Sequence, residues 1–223
     1  MTKRHLFLDF DGVLVDSNVI KTGAFFDLAM KFFGTEAAEG LVENHQQNPG
    51  GSRFTKLAWL LSNYRPSQPT LNQSGLESEF SSLVLEKIRA ANRTPRLASL
   101  LRDSNYVPHI LSAAPSMEIT DLVESFGWEV AFESRIHGSP ETKVEHLNKL
   151  RKLVDLENSI FVGDAPSDFE VAQQFGMPFV FVSDWSEWSP SDPIRSEFVG
   201  SWPNLEQFLT TLLKRAESEK KLW

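Results

Sequence analysis

The stretch HLFLDFDGVLVDS, residues 5–17, places two carboxylates directly after an apolar run. Residues 5–8 are typical of a buried strand, and Asp9 and Asp11 follow it with one residue between them. Buried carboxylates are costly unless a charged partner accompanies them. Either the two aspartates end the strand at an ordinary acidic turn, or they bind a cation and an anion. Gly12 beside them permits a tight turn and close approach of the backbone to a ligand.

Four further apolar runs are interpreted as buried strands. Most of the runs are continuous rather than alternating, which suits a parallel sheet that is covered on both faces. Helical patterns follow at 117–126, 142–153 and 168–175, and a final amphipathic helix is predicted at 204–221. Strands that alternate with helices predict a doubly wound α/β layer. The predicted strands after the first are 106–111, 129–132, 159–163 and 178–182.

The chain between the first two predicted strands departs from this alternation. Residues 18–93 are mostly helical in pattern, with a turn-rich interruption at 63–75. This segment is far longer than an ordinary crossover between parallel strands. We therefore expect an inserted helical cap at 18–93, on an α/β core that is made of residues 1–17 and 94–223.

The bulk composition excludes several classes of protein. The 223 residues carry 22 basic and 30 acidic side chains, and this net charge of −8 argues against binding to nucleic acid or to anionic membranes. The absence of cysteine excludes disulfides, thiolate nucleophiles and cysteine-ligated zinc. No apolar stretch approaches the roughly 20 residues of a membrane helix. Because Asp9 ends the first apolar run too early for a signal peptide, we expect a cytoplasmic protein.

Two other features also lie at the predicted carboxyl edge of the sheet, where open α/β sheets bind their ligands. Ser112 and Ala113 directly follow the apolar part of a predicted strand, and a serine hydroxyl with nearby backbone amides can bind phosphate oxygens. Taken alone, a serine after a strand is more often part of an ordinary turn. Lys143 lies in the first turn of a predicted helix, where it is able to neutralise a phosphoryl group. An isolated lysine at such a position is more often solvated.

A last feature adds two carboxylates to the same edge. Asp164 ends a predicted strand, and Asp168 lies at a helix start, where the helix dipole alone favours a carboxylate. Next to Asp9 and Asp11, these groups would repel one another strongly without a cation. The candidate ligands are all oxygens, which points to Mg²⁺. The histidines offer no comparable cluster, and His109 in mid-strand is interpreted as a buried core residue.

Taken in order, these motifs resemble the four motifs of the haloacid dehalogenase superfamily, in its phosphatase branch. The resemblance covers the whole chain and includes the helical insertion after the first motif, an arrangement called the C1 type. It implies a Rossmann-like core with an inserted cap domain. The matching segments are DFDGVLVDS (9–17), LSAA (111–114), Lys143, GDAPSD (163–168) and FGMP (175–178).

The resemblance also implies a role for each candidate residue. Asp9 would be the nucleophile that forms an aspartyl-phosphate, and Asp11 the general acid and base. Mg²⁺ would be held by Asp9, the backbone carbonyl of Asp11 and Asp164, with support from Asp168. The phosphoryl group would be bound by Ser112, Ala113 and Lys143.

The motifs favour one branch of the superfamily but depart from its pattern in two places. A dehalogenase needs no acid for an alkoxide leaving group, so Asp11 favours phosphoryl transfer over carbon–halogen cleavage. Ala113 stands where many relatives carry a polar residue or glycine, and the loop GSPET (138–142) differs from the usual form before the lysine.

We therefore expect a Mg²⁺-dependent phosphomonoester hydrolase that acts on a small soluble metabolite. A sugar phosphomutase is the closest alternative; a phosphonate hydrolase and a noncatalytic binding protein are more distant ones. The expected partner is a small phosphate ester, not nucleic acid or membrane, and the expected state is a monomer or homodimer.

The predicted cap contains candidate substrate residues. Arg53 and Lys56 lie three residues apart after a Gly-Gly turn and therefore share a helix face. They either bind an anionic or polyhydroxylated substrate or are simply solvated. Lys21 is a weaker candidate. The tryptophan-rich loop 183–193 either lines the edge of the site or forms a dimer contact.

Overall fold

A parallel sheet of six strands forms the centre of the computed structural model, which describes residues 4–220. Its strands are β1 Arg4–Leu8, β2 Tyr106–Pro115, β3 Ile136–Ser139, β4 Ile160–Gly163, β5 Phe179–Val182 and β6 Gly200–Trp202. They lie side by side in the order β3-β2-β1-β4-β5-β6, and each neighbouring pair is parallel. The strand order reverses between β1 and β4, at the centre of the sheet, which is the point where doubly wound sheets bind ligands.

Helices cover both faces of this sheet. Along β1, Leu6 and Leu8 pack into a core with Leu205 on one face, whereas Phe7 between them packs with Leu147 on the other. The predicted Rossmann-like, doubly wound fold class is confirmed. Within the described chain the helices are α1 Asn18–Phe33, α2 Thr35–Gln47, α3 Arg53–Asn63, α4 Gln73–Ala90, α5 Leu97–Asp103, α6 Ser116–Ser125, α7 Glu129–Phe132, α8 Lys143–Leu150, α9 Pro166–Gln174, α10 Asp192–Arg195 and α11 Leu205–Lys220. The predicted last residue of the final helix, Lys221, lies outside the described residues.

The strand predicted at 129–132 is wrong, because these residues form the short helix α7. Only Phe132 of this run is buried, while Val130 is exposed. The four residues therefore lack the burial on both faces that a central strand of a covered sheet has. The place beside β2 is taken by β3, whose sequence IHGS has one apolar residue and gave no signal of a strand. The edge strand β6 was also missed, since its three residues GSW show no apolar run.

Helices α1–α4 lie between β1 and β2 and are called here the helical insertion. The helix α1 packs against α2 and α4, and buried residues such as Phe25, Leu28 and Phe80 fill the space between the helices. The two chain connections to the sheet run side by side: the Thr94 amide donates to the Leu14 carbonyl at 2.9 Å. None of the helices between residues 4 and 220 has the length and apolar character needed to cross a membrane.

A row of histidines lies on the face of the sheet that α8 covers. His109 Nε2 lies 2.9 Å from His5 Nδ1, and His109 Nδ1 lies 3.1 Å from His137 Nε2. The ring of His109 stacks on Phe7 with 4.6 Å between centroids. Burial, together with the neighbouring histidines, lowers the pKa of His109 to about 3 and that of His137 to about 4. His109 is therefore a neutral core residue, as predicted.

The row predicts a specific loss of stability in acid. Unfolded histidine binds a proton below a pH of about 6.5, whereas folded His109 resists protonation down to about pH 3, so stability falls as the pH drops from 6.5. His109→Phe has no group at this position that takes up a proton on unfolding. Between pH 7 and pH 5, its free energy of unfolding should therefore fall by about 2 kcal/mol less than that of the wild type. Urea unfolding at the two pH values, in EDTA, measures the difference. Equal losses in the two proteins would contradict the neutral state of His109.

Candidate functional site

The candidate site lies at the carboxyl ends of β1 and β4, where the first and last predicted motifs meet. The backbone amide of Asp9 donates to the carbonyl of Val162 in β4 at 3.0 Å, which fixes Asp9 beside Asp164. The helices that follow bring the remaining charged groups, because Lys143 is the first residue of α8 and Asp168 lies in the first turn of α9. The structure therefore brings all four of these residues together.

Three of the aspartates form one buried cluster. One carboxylate oxygen from each of Asp9, Asp164 and Asp168 lies within 4.8 Å of the other two, and none of the residues is more than 5% exposed. Burial raises the pKa of Asp9 to about 7; Lys143 opposes the rise, while the charges of Asp168 and Asp11 add to it. Burial and the neighbouring carboxylates also raise the pKa of Asp164 well above its usual range.

Lys143 is the buried cation of this cluster. Its Nζ lies 2.9 Å from Asp9 Oδ1 and donates a hydrogen bond to Asp168. Burial alone lowers the pKa of Lys143, but the charges of Asp168 and Asp9 raise it above its usual value, so the lysine is protonated. Its position is fixed by a capping box in which Thr142 and Glu145 exchange hydrogen bonds at the start of α8.

The cluster has the properties of a Mg²⁺ site. When all three carboxylates are ionised, one ammonium leaves two uncompensated negative charges, which a divalent cation would neutralise. Asp9 Oδ1 is buried, and Lys143 is its one charged partner at ion-pair distance among the described residues. Asp168 differs, because its oxygens accept from Lys143 and from the backbone amides of Asp164 and Ala165. The all-oxygen ligand set suits Mg²⁺.

Gly12 is required by the close packing of this site. Its φ is +75°, in the left-handed region, and a Cβ there would lie 2.1 Å from Asp164 Oδ2. The same carboxylate oxygen accepts a hydrogen bond from Asn18 Nδ2 at 2.8 Å. Asn18 is a site residue that the sequence did not reveal, although it directly follows the first motif.

Asp11 lies beside this cluster and is held by other partners. Lys21 forms an ion pair with Asp11, and Ser17 Oγ donates to Asp11 Oδ1 at 2.5 Å. Burial raises the pKa of Asp11, but the attraction of Lys21 and the two hydrogen bonds outweigh it, so the pKa lies below its usual value. Lys21, the weaker candidate from the sequence, is therefore in direct contact with a predicted site residue.

Ser112 and Ala113 line the same cavity at the end of β2. Ser112 is buried, and its hydroxyl accepts a hydrogen bond from the backbone amide of Ala114 at 3.1 Å. This strand continues to Pro115, four residues beyond its predicted end, so the two residues lie in the strand rather than after it. The cavity has a volume of about 60 Å³.

Arg53 and Lys56 also line this cavity, and both are buried, so the alternative that they are solvated is wrong. Arg53 donates two hydrogen bonds to Glu118 in α6, at 2.8 and 2.6 Å, and a third to Ser81. Lys56 Nζ lies 2.5 Å from His45 Nδ1. The sequence pattern treated the two cations alike, but one is neutralised by a carboxylate and the other is not.

The tryptophan-rich loop 183–193 lines the edge of the site. Ser186 Oγ donates to the backbone carbonyl of Asp164 at 2.5 Å, and Asn18 donates to the carbonyl of Trp185 at 2.8 Å. Trp188 borders the cavity. This position agrees with one of the two alternatives from the sequence, and a dimer contact stays a prediction.

Comparison with known proteins identifies the family. A family model described as haloacid dehalogenase-like hydrolase matches residues 6–182 of the 223. The chain is a haloacid dehalogenase-like hydrolase. The match includes the whole helical insertion and every residue of the cluster, so the predicted superfamily and the prediction of an enzyme are confirmed. No curated protein matches this hydrolase in sequence.

Solved structures share the fold of this haloacid dehalogenase-like hydrolase at low sequence identity. CbbY from Rhodobacter sphaeroides, in complex with phosphate, has a TM-score of 0.70 at 14% identity, covering 93% of this chain and 96% of its own. The β-phosphoglucomutase from Clostridium difficile has a TM-score of 0.69 at 19% identity, covering 98% and 100%. A haloacid dehalogenase-like hydrolase from Streptococcus pneumoniae has a TM-score of 0.61 at 20% identity, covering 93% and 97%. At these identities the likeness concerns the fold alone.

The charge of the cluster predicts that Mg²⁺ stabilises the folded protein. A ligand that binds only the folded state adds about 2.7 kcal/mol at 100 times its dissociation constant, so the melting temperature should rise with Mg²⁺ concentration. Asp164→Asn removes one ligand and should abolish most of this rise. The control is Asp27→Asn, which changes an exposed aspartate of α1 and should melt as the wild type does. Thermal unfolding with titrated Mg²⁺ and with EDTA measures the effect; an undiminished rise in Asp164→Asn would contradict the assignment.

Proposed function

We propose that this hydrolase is a Mg²⁺-dependent phosphomonoesterase that acts on a small phosphorylated metabolite through an aspartyl-phosphate on Asp9. The observation that carries the proposal is the buried Asp9 carboxylate, which lies 2.9 Å from the ammonium of Lys143 and beside the carboxylates of Asp164 and Asp168. A carboxylate in this setting is placed to attack phosphorus while the lysine compensates its charge.

The other residues of the site support this chemistry. Mg²⁺ would be held by Asp9, Asp164 and the backbone carbonyl of Asp11. Asp168 would assist these ligands, and its own position is fixed by hydrogen bonds from Lys143 and two backbone amides. When bound, Mg²⁺ would neutralise charge on the phosphoryl oxygens. Further phosphoryl oxygens would be bound by Ser112, Ala113 and Lys143.

Asp11 would carry the proton in both half-reactions. An alkoxide leaving group needs a proton from a protonated Asp11, and the water that later hydrolyses the aspartyl-phosphate needs an ionised Asp11 as base. Lys21 and Ser17 favour the ionised form before substrate binds. Before substrate binds, Asp11 is therefore held as the carboxylate, which is the form that acts as the base in the second half-reaction.

The insertion completes the proposal. We propose that residues 18–93 form a cap domain that recognises the leaving group, with residues 1–17 and 94–223 as the catalytic core. Gly50 of the insertion lies close to the start of α9, since a Cβ on it would meet Ser167 Oγ at 2.1 Å. A cytoplasmic location and a monomeric or homodimeric state stay predictions.

A sugar phosphomutase is the second candidate, favoured by the likeness in fold to a β-phosphoglucomutase. The two activities differ in what accepts the phosphoryl group from Asp9, which is water in a hydrolase and a sugar hydroxyl in a mutase. In solvent enriched in ¹⁸O, a hydrolase releases labelled inorganic phosphate. Isomerisation of a sugar phosphate without release of phosphate would replace the hydrolase with the mutase.

The role of the nucleophile gives the most direct test. Asp9→Asn keeps the size of the side chain but cannot form the aspartyl-phosphate, so kcat for p-nitrophenyl phosphate should fall by several orders of magnitude. The matched control is Asp16→Asn, a change in the same motif outside the cluster, which should stay near the wild-type rate. Circular dichroism checks that both variants fold. Near wild-type turnover by folded Asp9→Asn, or full wild-type activity in EDTA, would refute the proposed chemistry.

The proton carried by Asp11 predicts a dependence on the leaving group. Asp11→Asn should slow the hydrolysis of an alkyl phosphate by about 10²–10⁴-fold, since it removes the general acid. p-Nitrophenol leaves without much need of a proton. In burst kinetics with p-nitrophenyl phosphate, Asp11→Asn should therefore slow the phosphorylation of Asp9 less than it slows the steady-state turnover. An equal effect of Asp11→Asn on the phosphorylation rate for the two leaving groups would assign the proton to another residue.

A further inference from the structure

Lys56 is the one cation in the wall of the cavity that has no carboxylate within ion-pair distance among the described residues. The other two are both neutralised, Lys21 by Asp11 and Arg53 by Glu118. Lys56 is only 3% exposed and lies over the ring of Phe25 at 5.6 Å from its centroid. A buried ammonium without a counter-ion is costly unless an anion joins it.

His45 holds this lysine in place. His45 Nδ1 lies 2.5 Å from Lys56 Nζ, and His45 Nε2 lies 3.0 Å from Thr22 Oγ1 and 3.7 Å from Glu187 Oε2. Burial, together with the positive charges of Lys56 and Lys21, lowers the pKa of His45 to about 3, so its imidazole is neutral. A neutral imidazole that donates from Nε2 toward Thr22 accepts at Nδ1, and this arrangement directs one N–H of Lys56 to His45. The two remaining N–H groups are left for a ligand.

The charges around Lys56 set the kind of anion that it suits. Lys21 from α1, Asp11 after β1 and Glu187 after β5 all act on it electrostatically, and His45 touches it from α2. Burial and Lys21 lower the pKa of Lys56 to about 8, against the opposing effect of Glu187 and Asp11. The lysine therefore carries one positive charge at neutral pH. Lys21 is paired with Asp11, and Glu187 repels added negative charge, so this single ammonium suits a monoanion better than a dianion.

We propose that Lys56 binds a carboxylate on the leaving-group half of the substrate, so that the enzyme prefers small phosphate esters of hydroxy acids. This inference rests on the proposed phosphomonoesterase activity and adds the substrate class. Arg53 does not fill this role, because its guanidinium is engaged by Glu118 and Ser81. The cavity of about 60 Å³ favours a leaving group of few carbons. His45 is a positioning residue for Lys56.

A matched pair of esters tests the preference. 3-Phosphoglycerate and glycerol 3-phosphate have the same number of carbons, and the first carries a carboxylate where the second carries a hydroxymethyl group. The wild type should hydrolyse the carboxylate ester with at least about 10-fold higher kcat/KM, as one charged hydrogen bond allows. Lys56→Met should lower kcat/KM for 3-phosphoglycerate about 10- to 100-fold more than for glycerol 3-phosphate. Lys87→Met, an exposed lysine of α4, is the control and should keep the wild-type ratio.

Variants of His45 test its positioning role. In His45→Asn the side-chain oxygen can replace Nδ1 as the acceptor for Lys56, whereas His45→Leu offers no acceptor. We expect His45→Asn to keep most of the preference for the carboxylate ester and His45→Leu to lose it. In the wild type the preference should also decline above about pH 8, as Lys56 loses its proton, and Lys56→Arg should not show this decline. Equal ratios in His45→Asn and His45→Leu would overturn the positioning role.

Binding separates this inference from the proposed function. In folded Asp9→Asn protein with Mg²⁺, calorimetry should show tighter binding of 3-phosphoglycerate than of glycerol 3-phosphate, and Lys56→Met in that background should remove the difference. If no ester is hydrolysed but the binding difference is present, the proposed activity fails and the carboxylate site stands. Absence of any preference in the wild type, or stronger binding of 1,3-propanediol bisphosphate than of 3-phosphoglycerate, would overturn the carboxylate assignment.

Discussion

The burial of three carboxylates around one ammonium is the constraint on which the rest of the structure depends. Asp9, Asp164 and Asp168 are brought together because the carboxyl ends of two adjacent parallel strands and the start of one helix meet at a single point. Their repulsion is only partly relieved by Lys143. Gly12 follows from the same crowding, since its backbone conformation leaves room for a carboxylate where any side chain would collide. This edge of the sheet therefore holds more carboxylates than one ammonium can balance, at the place where the proposed function puts a cation and a phosphoryl group.

One apolar core contains residues of both the sheet and the helical insertion, such as Leu8 and Phe25, and polar contacts join the two parts at the cleft. The shared apolar core fixes the insertion on the sheet, and the polar contacts set its position at the cleft. These contacts are Lys21 with Asp11, Asn18 with Asp164, Thr22 with Glu187 and Arg53 with Glu118.

Motifs with short-range causes were predictable from the sequence, and contacts between distant segments were not. Apolar runs that end in aspartate predicted β1, β4 and the cluster, because the buried apolar residues and the carboxylate are adjacent in the sequence. The edge strand β3 has too few apolar residues to be recognised. The more apolar run 129–132 was predicted as a strand instead, although it forms a helix. Glu118 and His45 were missed because their partners lie 65 and 11 residues away. Buried charge pairing is decided by tertiary structure, which no local pattern reports.

The chain leaves the sheet for the insertion and returns to it through segments that lie in direct contact, with Val15 paired to Arg93 and the Leu14 carbonyl bound to Thr94. For the sheet, the 76 residues between Ser17 and Thr94 therefore amount to a loop with closed ends. Lengthening, shortening or exchanging that loop would leave the register of β1 and β2 unchanged. If the insertion chooses the substrate as proposed, it can accordingly diverge in sequence while the sheet and its cluster stay the same, and a new specificity needs no new fold.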